Sequence, residues 1–295
     1  MKIAKKLAPL LVFLFVAVML TLFPKPFCKA FLDGVALWAN NVLPILLPFA
    51  LLAPLAATAL PTRLSLTKFL FGVSCDGVFF SSLVCGYPVG AKLTEQTKTD
   101  PDTALKMSAF CSTAGPIFCL VSVGELLQNK TAAAIVFVSQ ILSCVCNGLL
   151  FRSCPSAKFV ALPKESRTDF GQTIVDGLLG VMSVGAIIAL TSMFCQMVRA
   201  VLPTSATESL AVNYALGLLE ITNGVKFVAD YSANVTTATT LSSSLLAFGG
   251  ASVIAQSMAF LSRLKVNTTK FVFRKITQSA LAALITFLLC KLLLR

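Results

Sequence analysis

Charged residues are missing from long stretches of this sequence. These stretches run through residues 7–24, 34–62, 107–124, 131–151, 177–198 and 231–262. A helix needs roughly 20 apolar residues to cross the ~30 Å hydrocarbon core of a membrane. Charged residues make up only 12% of the 295-residue chain, against about 25% in an ordinary soluble domain. The sequence therefore predicts a membrane protein that crosses the bilayer several times.

The spans are predicted to be helices, which gives an all-α fold. Strands of a membrane barrel alternate polar and apolar residues over ~10 positions, whereas the segment from Leu10 to Leu22 is apolar almost without interruption. The lysines of 1–6 followed by this segment imitate a secretory signal. Because residues 21–26 lack the small residues of a cleavage site, 7–23 is expected to be a retained first span that ends at Pro24.

Positive charge lies at the ends of the apolar stretches. The net charge is +12, and its placement follows the positive-inside rule of membrane proteins. This rule puts the N-terminus, the basic segment 152–169 and a second basic cluster at 263–275 on the cytoplasmic side. Basic residues in nucleic-acid-binding proteins instead cover a solvated face. The expected partner is therefore the lipid bilayer, with no nucleic acid.

The sequence gives no indication of a metal, a cofactor or an enzyme active site. It contains ten Cys, no His and no CxxC pair, and zinc sites are built from these residues at close spacing. Most Cys lie in apolar stretches, where Cys packs as a small hydrophobic residue. HExxH and GxSxG motifs are also missing. We therefore expect no cofactor, no disulfide framework and no catalysis.

Two apolar stretches contain residues that interrupt a helix. The breakers are Gly86, Pro88 and Gly90 in the first stretch, 81–92, and Gly249 and Gly250 after Phe248 in the second, 243–256. Broken backbone at membrane depth is tolerated only where protein buries it or where it lines a cavity. Matched interruptions in two halves of a chain are typical of the binding site of a transporter. The sequence predicts that the two breaks face each other.

Other polar positions lie inside apolar stretches. A further break at Gly115-Pro116 follows Ser112 and Thr113, and Glu220 precedes Asn223. An ionisable group in a membrane segment is a functional candidate because burying it costs ~2.5 kcal/mol or more; the alternatives are that Glu220 pairs with Lys226 or caps a helix. Asn40 and Asn41, close to two prolines, are predicted to satisfy carbonyl groups that the prolines leave free.

The chain is predicted to contain two repeats of opposite orientation. A helix is expected to begin at Asp33-Gly34 on the outer side, and a similar one at Asp176-Gly177 on the inner side. Opposite entry into the membrane defines an inverted repeat. The predicted division is an N-terminal helix (1–30), a first repeat (31–151), a cytoplasmic linker (152–170) and a second, inverted repeat (171–295).

Four motifs, taken in order, resemble the YlbJ-like sporulation integral membrane proteins. They are Gly86-Tyr-Pro-Val-Gly-Ala-Lys92, Phe110-Cys-Ser-Thr-Ala-Gly-Pro-Ile-Phe118, Leu219-Glu-Ile-Thr-Asn-Gly224 and Phe248-Gly-Gly-Ala-Ser-Val-Ile-Ala-Gln256. The resemblance implies a nucleoside-recognition "Gate" domain shared with concentrative nucleoside transporters, with re-entrant hairpins that meet at the centre. It also implies the inner membrane of a spore-forming bacterium, or the membrane between mother cell and forespore, and passage of dipicolinate.

The favoured hypothesis is a transporter or facilitator of a small polar metabolite such as a carboxylate. Helix N-termini at the breaks would favour an anion, Lys92 would add a point charge, and Glu220 would couple an ion or carry a proton. The predicted substrate-binding residues are Gly86, Tyr87, Pro88, Gly90, Lys92, Ser112, Thr113, Gly115, Asn223, Phe248, Gly249, Gly250 and Gln256. A nucleoside transporter and a non-transporting assembly factor for spore formation remain alternatives, and the oligomeric state stays open.

Overall fold

The computed structural model describes residues 2–44, 47–48, 51, 66–157, 159–160 and 170–294. Within these residues the chain is helical, apart from turns and one isolated bridge between Ser74 and Phe159. The helices, in chain order, are α1 (Lys2–Leu22), α2 (Pro24–Leu37), α3 (Leu66–Phe71), α4 (Asp76–Cys85), α5 (Val89–Gln96), α6 (Pro101–Met107), α7 (Val123–Leu126), α8 (Lys130–Leu150), α9 (Phe170–Val201), α10 (Thr204–Thr207), α11 (Leu210–Gly217), α12 (Ile221–Tyr231), α13 (Val235–Phe248), α14 (Gly250–Leu261) and α15 (Thr268–Leu293).

Several of these helices are long and apolar enough to cross a membrane. Among the described residues there are 4, at Lys130–Leu150, Gly177–Val201, Val235–Leu264 and Thr268–Leu293, and a bent pair formed by Leu10–Leu22 and Pro24–Asn40 passes the same test. The prediction of an all-α polytopic membrane protein is confirmed. The pair is bent by 111°, at the residue before Pro24, because proline suits the first turn of a helix and does not continue one.

The predicted helix starts at the two aspartates are wrong. Asp33 lies inside α2, which begins at Pro24, and Asp176 lies inside α9, which begins at Phe170. The predicted boundary at residue 30 therefore falls within a helix. Apolar residues on both sides of each aspartate continue the helix, and this outweighs the weak preference of aspartate for a helix start.

Asn40 and Asn41 lie in a single π-helical turn, Trp38–Val42, that extends α2. Such turns interrupt the regular hydrogen bonding of a helix and are frequent at functional sites. The side chain of Asn40 is exposed, and that of Asn41 lies outside the described residues, as do several residues around the two prolines. The predicted structural role of this pair stays a prediction.

Each half of the chain contains the same sequence of elements. A helical hairpin comes first, α4–α5 or α11–α12, and the arms of each hairpin pack against each other. A broken helix follows, formed by α6 and 116–126 in the first half and by α13–α14 in the second. An unbroken span, α8 or α15, ends each half. The break at Gly86 lies between the two arms of the first hairpin, so its counterpart in the second half is 218–220, between the arms of the second hairpin. The sequence analysis had instead paired Gly86 with Gly249.

The two halves join along the unbroken spans. Helices α8, α13 and α15 pack against one another, and the buried faces of all three carry polar side chains. Gln140 donates a hydrogen bond to the carbonyl of Ser243 (2.9 Å), and Asn147 donates one to the carbonyl of Arg274 (3.2 Å). Polar contacts of this kind hold membrane helices together where lipid removes the hydrophobic driving force.

Two members of the predicted cytoplasmic basic cluster are buried inside the protein. Arg274 is 7% exposed and Lys275 is 0% exposed, whereas Arg263, Lys265 and Lys270 are exposed. The guanidinium of Arg274 lies over the ring of Phe151, 3.9 Å from its centroid. The prediction placed all five on the cytoplasmic surface because it used charge alone. It could not show that positions 274 and 275 fall on the packed face of α15.

Candidate functional site

The tip of the first hairpin packs directly against the break in the next helix. The backbone N–H of Tyr87 donates to the carbonyl of Thr113 at 2.9 Å. A Cβ atom added to Gly86 would lie 2.5 Å from the nitrogen of Gly115, and one added to Gly90 would lie 1.8 Å from the carbonyl oxygen of Cys111. Glycine is required at 86 and 90 because no side chain fits between the two backbones.

A second pair of breaks meets in the other half. The N–H groups of Ala251 and Ser252 donate to the carbonyls of Leu218 and Leu219, at 2.7 Å and 3.1 Å. Gly249 has φ +87° and is left-handed, which lets the chain turn before α14 begins. In both halves, therefore, some of the backbone groups freed by one break form hydrogen bonds with backbone groups of the other. These hydrogen bonds lower the energetic cost of interrupting the helices, because a buried backbone group without a partner is unfavourable.

The two pairs of breaks border one cavity. Its empty space is about 720 Å³ when the part open to the outside is included. The lining residues come from α4, both pairs of breaks, α9 and α14, together with Val42: Val42, Val84, Cys85, Tyr87, Ala114, Gly115, Ile117, Phe118, Val184, Ile188, Glu220, Ile221, Thr222, Ser252, Val253 and Gln256. Most of the wall is apolar, with a few convergent polar groups.

Glu220 lines the cavity and also caps a helix. Its two carboxylate oxygens accept hydrogen bonds from the backbone N–H groups of Thr222 (3.0 Å) and Asn223 (2.7 Å), at the start of α12. The side chain is 1% exposed. Burial disfavours the negatively charged form of this carboxylate, whereas the backbone donors and the helix dipole favour it. The capping alternative for Glu220 is thus realised, and the ion-coupling role stays a prediction.

Ser252 and Gln256 are two polar side chains on the cavity wall that can bind a ligand. They are 3% and 8% exposed, and neither side chain forms a hydrogen bond within the described part of the chain. On the opposite wall, the backbone N–H groups of Ile117 and Phe118, in the first turn of the helical segment 116–126, have no acceptor in the described part of the chain either. Buried polar groups without partners indicate a bound ligand or water.

The predicted substrate-binding residues divide into two groups. Tyr87, Gly115 and Gln256 lie on the cavity wall, as does the predicted coupling residue Glu220. The others do not line the cavity: Gly86, Pro88, Gly90, Lys92, Ser112, Thr113, Asn223, Phe248, Gly249 and Gly250. The glycines shape the breaks behind the wall. Asn223 donates to Ser192 of α9 at 2.6 Å, and this contact fixes the second hairpin against α9.

The buried cation close to the cavity is Lys275, which the sequence analysis assigned to the surface. Its ammonium donates to the carbonyl of Ser112 at 2.8 Å and to Oε1 of Gln278 at 2.9 Å. It lies 6.0 Å from the centroid of the Tyr87 ring. Lys92, the predicted point charge, is half-buried on α5 and does not reach the cavity wall.

Sequence reasoning missed Cys85, Thr222 and Ser252 on the wall. Cys85 directly precedes Gly86 and Ser252 lies two residues after Gly250, so a search of the residues around each glycine would have found these two, and Thr222 lies next to the predicted residue Asn223. In the described residues, no three His, Cys, Asp or Glu side chains group together where they could hold a metal ion.

Comparison with known proteins agrees with this membrane fold. The chain is 24% identical to the sporulation integral membrane protein YlbJ of Bacillus subtilis (strain 168) over 332 aligned residues, which cover 95% of this chain and 81% of that protein. No family model and no solved structure matches the chain. The predicted resemblance to YlbJ-like proteins is confirmed, and the nucleoside-recognition Gate domain stays a prediction.

Proposed function

We propose that this integral membrane protein, similar to a sporulation protein, transports a small polar solute through the cavity between the two pairs of broken helices. The observation that carries the proposal is the convergence of four backbone breaks on one cavity with free polar groups. A scaffold that only packs helices has no need of such a cavity. The proposal makes the protein a carrier and not an enzyme.

A carboxylate such as dipicolinate is the first candidate for the solute. The free N–H groups at Ile117 and Phe118 lie at a helix N-terminus, where backbone donors and the helix dipole favour an anion. Ser252 and Gln256 lie on the same cavity and can orient a planar polar molecule by hydrogen bonds. Glu220 adds a negative charge to the wall, so an anionic solute would move together with a proton or a cation.

A nucleoside is the second candidate, because aromatic rings line the cavity. Tyr87 and Phe118 both contribute to the wall, and a base could stack on either ring. Two aromatic residues elsewhere in the first and second halves, Phe79 and Phe248, are less suitable for stacking. Phe79 is buried in a cluster with Phe71 and Phe110, and Phe248 lies off the wall.

Uptake by purified protein in liposomes tests the proposal. Radiolabelled dipicolinate is expected to accumulate faster than in empty liposomes, and unlabelled dipicolinate should compete better than unlabelled nucleosides. Stronger competition by nucleosides would favour the second candidate. No uptake of either solute, with or without a pH or sodium gradient, would leave the assembly-factor hypothesis.

The site itself is tested by removing the two free polar groups. The double variant Ser252→Ala/Gln256→Ala should lower the uptake rate about tenfold, because each lost hydrogen bond is worth roughly 0.5–1.5 kcal/mol. Ser257→Ala is the matched control: Ser257 is a buried serine on the same helix, but it does not line the cavity. Equal rates in the double variant and the control would remove this cavity as the route of transport.

A further inference from the structure

Lys275 holds a buried ammonium group immediately behind the cavity wall. The residue is 0% exposed, on the face of α15 that packs against the rest of the protein. Its partners are the carbonyl of Ser112 at 2.8 Å, the hydroxyl of Ser112 at 3.4 Å and the side-chain oxygen of Gln278 at 2.9 Å. These oxygens satisfy the three hydrogens of the ammonium group, but none of them carries a formal charge.

No carboxylate compensates the charge of Lys275 at close range. In the described part of the chain, the ion pair formed by Arg263 and Glu95 is the one salt bridge found, and no described carboxylate oxygen lies within 4.0 Å of Lys275. Burial disfavours a charged lysine, but the three acceptor oxygens around Nζ match the three donor hydrogens of the ammonium form. Because the interior screens charge less than water does, the field of this ammonium extends to neighbouring sites.

Lys275 lies close to Tyr87, a residue of the cavity wall, and to residues next to that wall. The Tyr87 ring, with its centroid 6.0 Å from the ammonium nitrogen, lines the cavity on its other side. Ser112 is followed by the cavity-lining residues Ala114 and Gly115. A Cβ atom added to Gly249 would lie 3.8 Å from Cε of Lys275. One residue layer therefore separates the charge of Lys275 from the space where a solute would bind.

We propose that Lys275 is the residue that makes the cavity selective for anions. It acts as a positioning residue: it holds the broken backbone at Ser112 by hydrogen bonds, and its positive charge offsets that of Glu220 across the wall. The positive charge of Lys275 reduces the repulsion between the Glu220 carboxylate and an anionic solute. The free N–H groups of Ile117 and Phe118 can then donate hydrogen bonds to the anionic group of that solute. The biological meaning of this selectivity rests on the proposed transport function, but its test does not.

Native Cys85 reports the electrostatic potential of the cavity, since it lies on the wall. The purified protein is treated with an anionic thiol reagent, sulfonatoethyl methanethiosulfonate, or a cationic one, trimethylammonioethyl methanethiosulfonate. The rate of modification of Cys85 by each reagent is read by mass spectrometry of its peptide. The ratio of the anionic rate to the cationic rate measures the local potential independently of transport.

Lys275→Gln, which keeps a hydrogen-bond donor and removes the charge, should lower this ratio about tenfold, as expected for one unit charge at close range in a partly screened interior. Lys275→Arg keeps the charge and should stay within about twofold of the wild type. Lys92→Gln removes a lysine that does not line the cavity and should also stay close to the wild type. An unchanged ratio in a folded, monodisperse Lys275→Gln variant would overturn the proposal.

A second variant keeps the test decisive if Lys275→Gln does not fold. Glu220→Gln retains a capping oxygen and removes the negative charge. In this variant the charge of Lys275 should raise the ratio of the anionic to the cationic rate at Cys85. The expected ratio is several-fold above the one that the same two reagents give with a small free thiol, 2-mercaptoethanol. A ratio equal to that of the free thiol would show that Lys275 contributes no field, and would overturn the proposal. If wild-type protein transports neither solute but the ratios change as expected, the proposed function fails while the assignment of Lys275 holds.

Discussion

At the scale of single residues, the site depends on glycines that allow backbones to touch and on buried charges that backbone groups hold. Gly90 contacts the carbonyl of Cys111 so closely that an added Cβ would lie 1.8 Å from the oxygen. Glu220 and Lys275 are both buried, and backbone N–H groups or carbonyls hold each of them. Removing a contact of either kind should therefore change the shape of the cavity.

Gly90→Ala should destabilise the folded protein by about 1–3 kcal/mol, the usual cost of overpacking. The reason is that the new methyl group forces α5 away from the break at Cys111. Gly180→Ala is the control: an added Cβ there meets nothing within 4 Å, and alanine in a helix interior is no worse than glycine. Thermal melting in detergent measures both. Equal melting temperatures for the two variants would contradict the close contact.

Glu220→Ala should destabilise the protein by about 0.5–2 kcal/mol because α12 loses its N-terminal cap. Glu220→Gln keeps one capping oxygen and should cost less, yet it should lower uptake strongly if the charge couples the solute to an ion. Asn234→Ala is the control. It removes the cap of α13, where the side chain accepts from Thr237 N–H at 2.8 Å, away from the cavity, so it should lower stability without changing uptake. Normal uptake by Glu220→Gln would exclude the coupling role.

At the scale of the elements, the hairpins and broken helices work as pairs. Each hairpin presents its turn to the break of the following helix, and backbone hydrogen bonds join the two. The second hairpin closes through a contact of two glycines: a Cβ added to Gly224 would lie 2.4 Å from the Cα of Gly217. Small residues at such a crossing let two membrane helices approach closely. The position of Glu220, in the turn between these arms, follows from this contact.

Gly217→Ala and Gly224→Ala should each lower the melting temperature, since either methyl group separates the arms of the hairpin. The double variant should cost less than the sum of the two, because both methyl groups are relieved by the same separation. A double-mutant cycle on melting temperature or on denaturant midpoint measures this coupling. Full additivity would mean that the two glycines do not share one contact.

At the scale of the whole molecule, the cavity forms only when both halves of the chain are present. Tyr87 of the first half donates through its hydroxyl to the carbonyl of Leu246 in the second, at 3.5 Å, and the wall contains residues of both halves. The polar contacts between α8, α13 and α15 hold the halves together.

A protease site inserted between residues 160 and 170 should therefore give two fragments that stay associated after cleavage. Size-exclusion chromatography in detergent is expected to show one complex. Asn147→Leu removes an amide that donates to the carbonyls of Ala109 and Arg274 and should weaken the complex, since each buried group left unsatisfied costs roughly 1–3 kcal/mol. If the two fragments separate after cleavage of the protein that keeps Asn147, the covalent connection, and not the helix interface, joins the halves.

The sequence by itself determined the class of the protein and the positions of three of its helix breaks. Long uncharged stretches are sufficient for a helical membrane fold because hydrocarbon requires the backbone to satisfy its own hydrogen bonds. The interruptions at Gly86, Gly115 and Gly249 were readable from local sequence because glycine and proline weaken a helix. These residues do not always break one, since Gly180 lies inside α9, and the break at 218–220 contains neither of them.

Only the tertiary structure decided which break meets which, and which side chains reach the cavity. The charge pattern placed Lys275 at the surface and Lys92 at the site, and the structure reverses both. A position along the chain does not specify the face of a helix that packs inward, since that depends on the neighbouring helices. Glu220 acts as a cap because the break before α12 leaves the N–H of Thr222 free. Lys275 is held by the carbonyl of Ser112, which is distant in sequence. Both backbone groups are in place only in the folded protein.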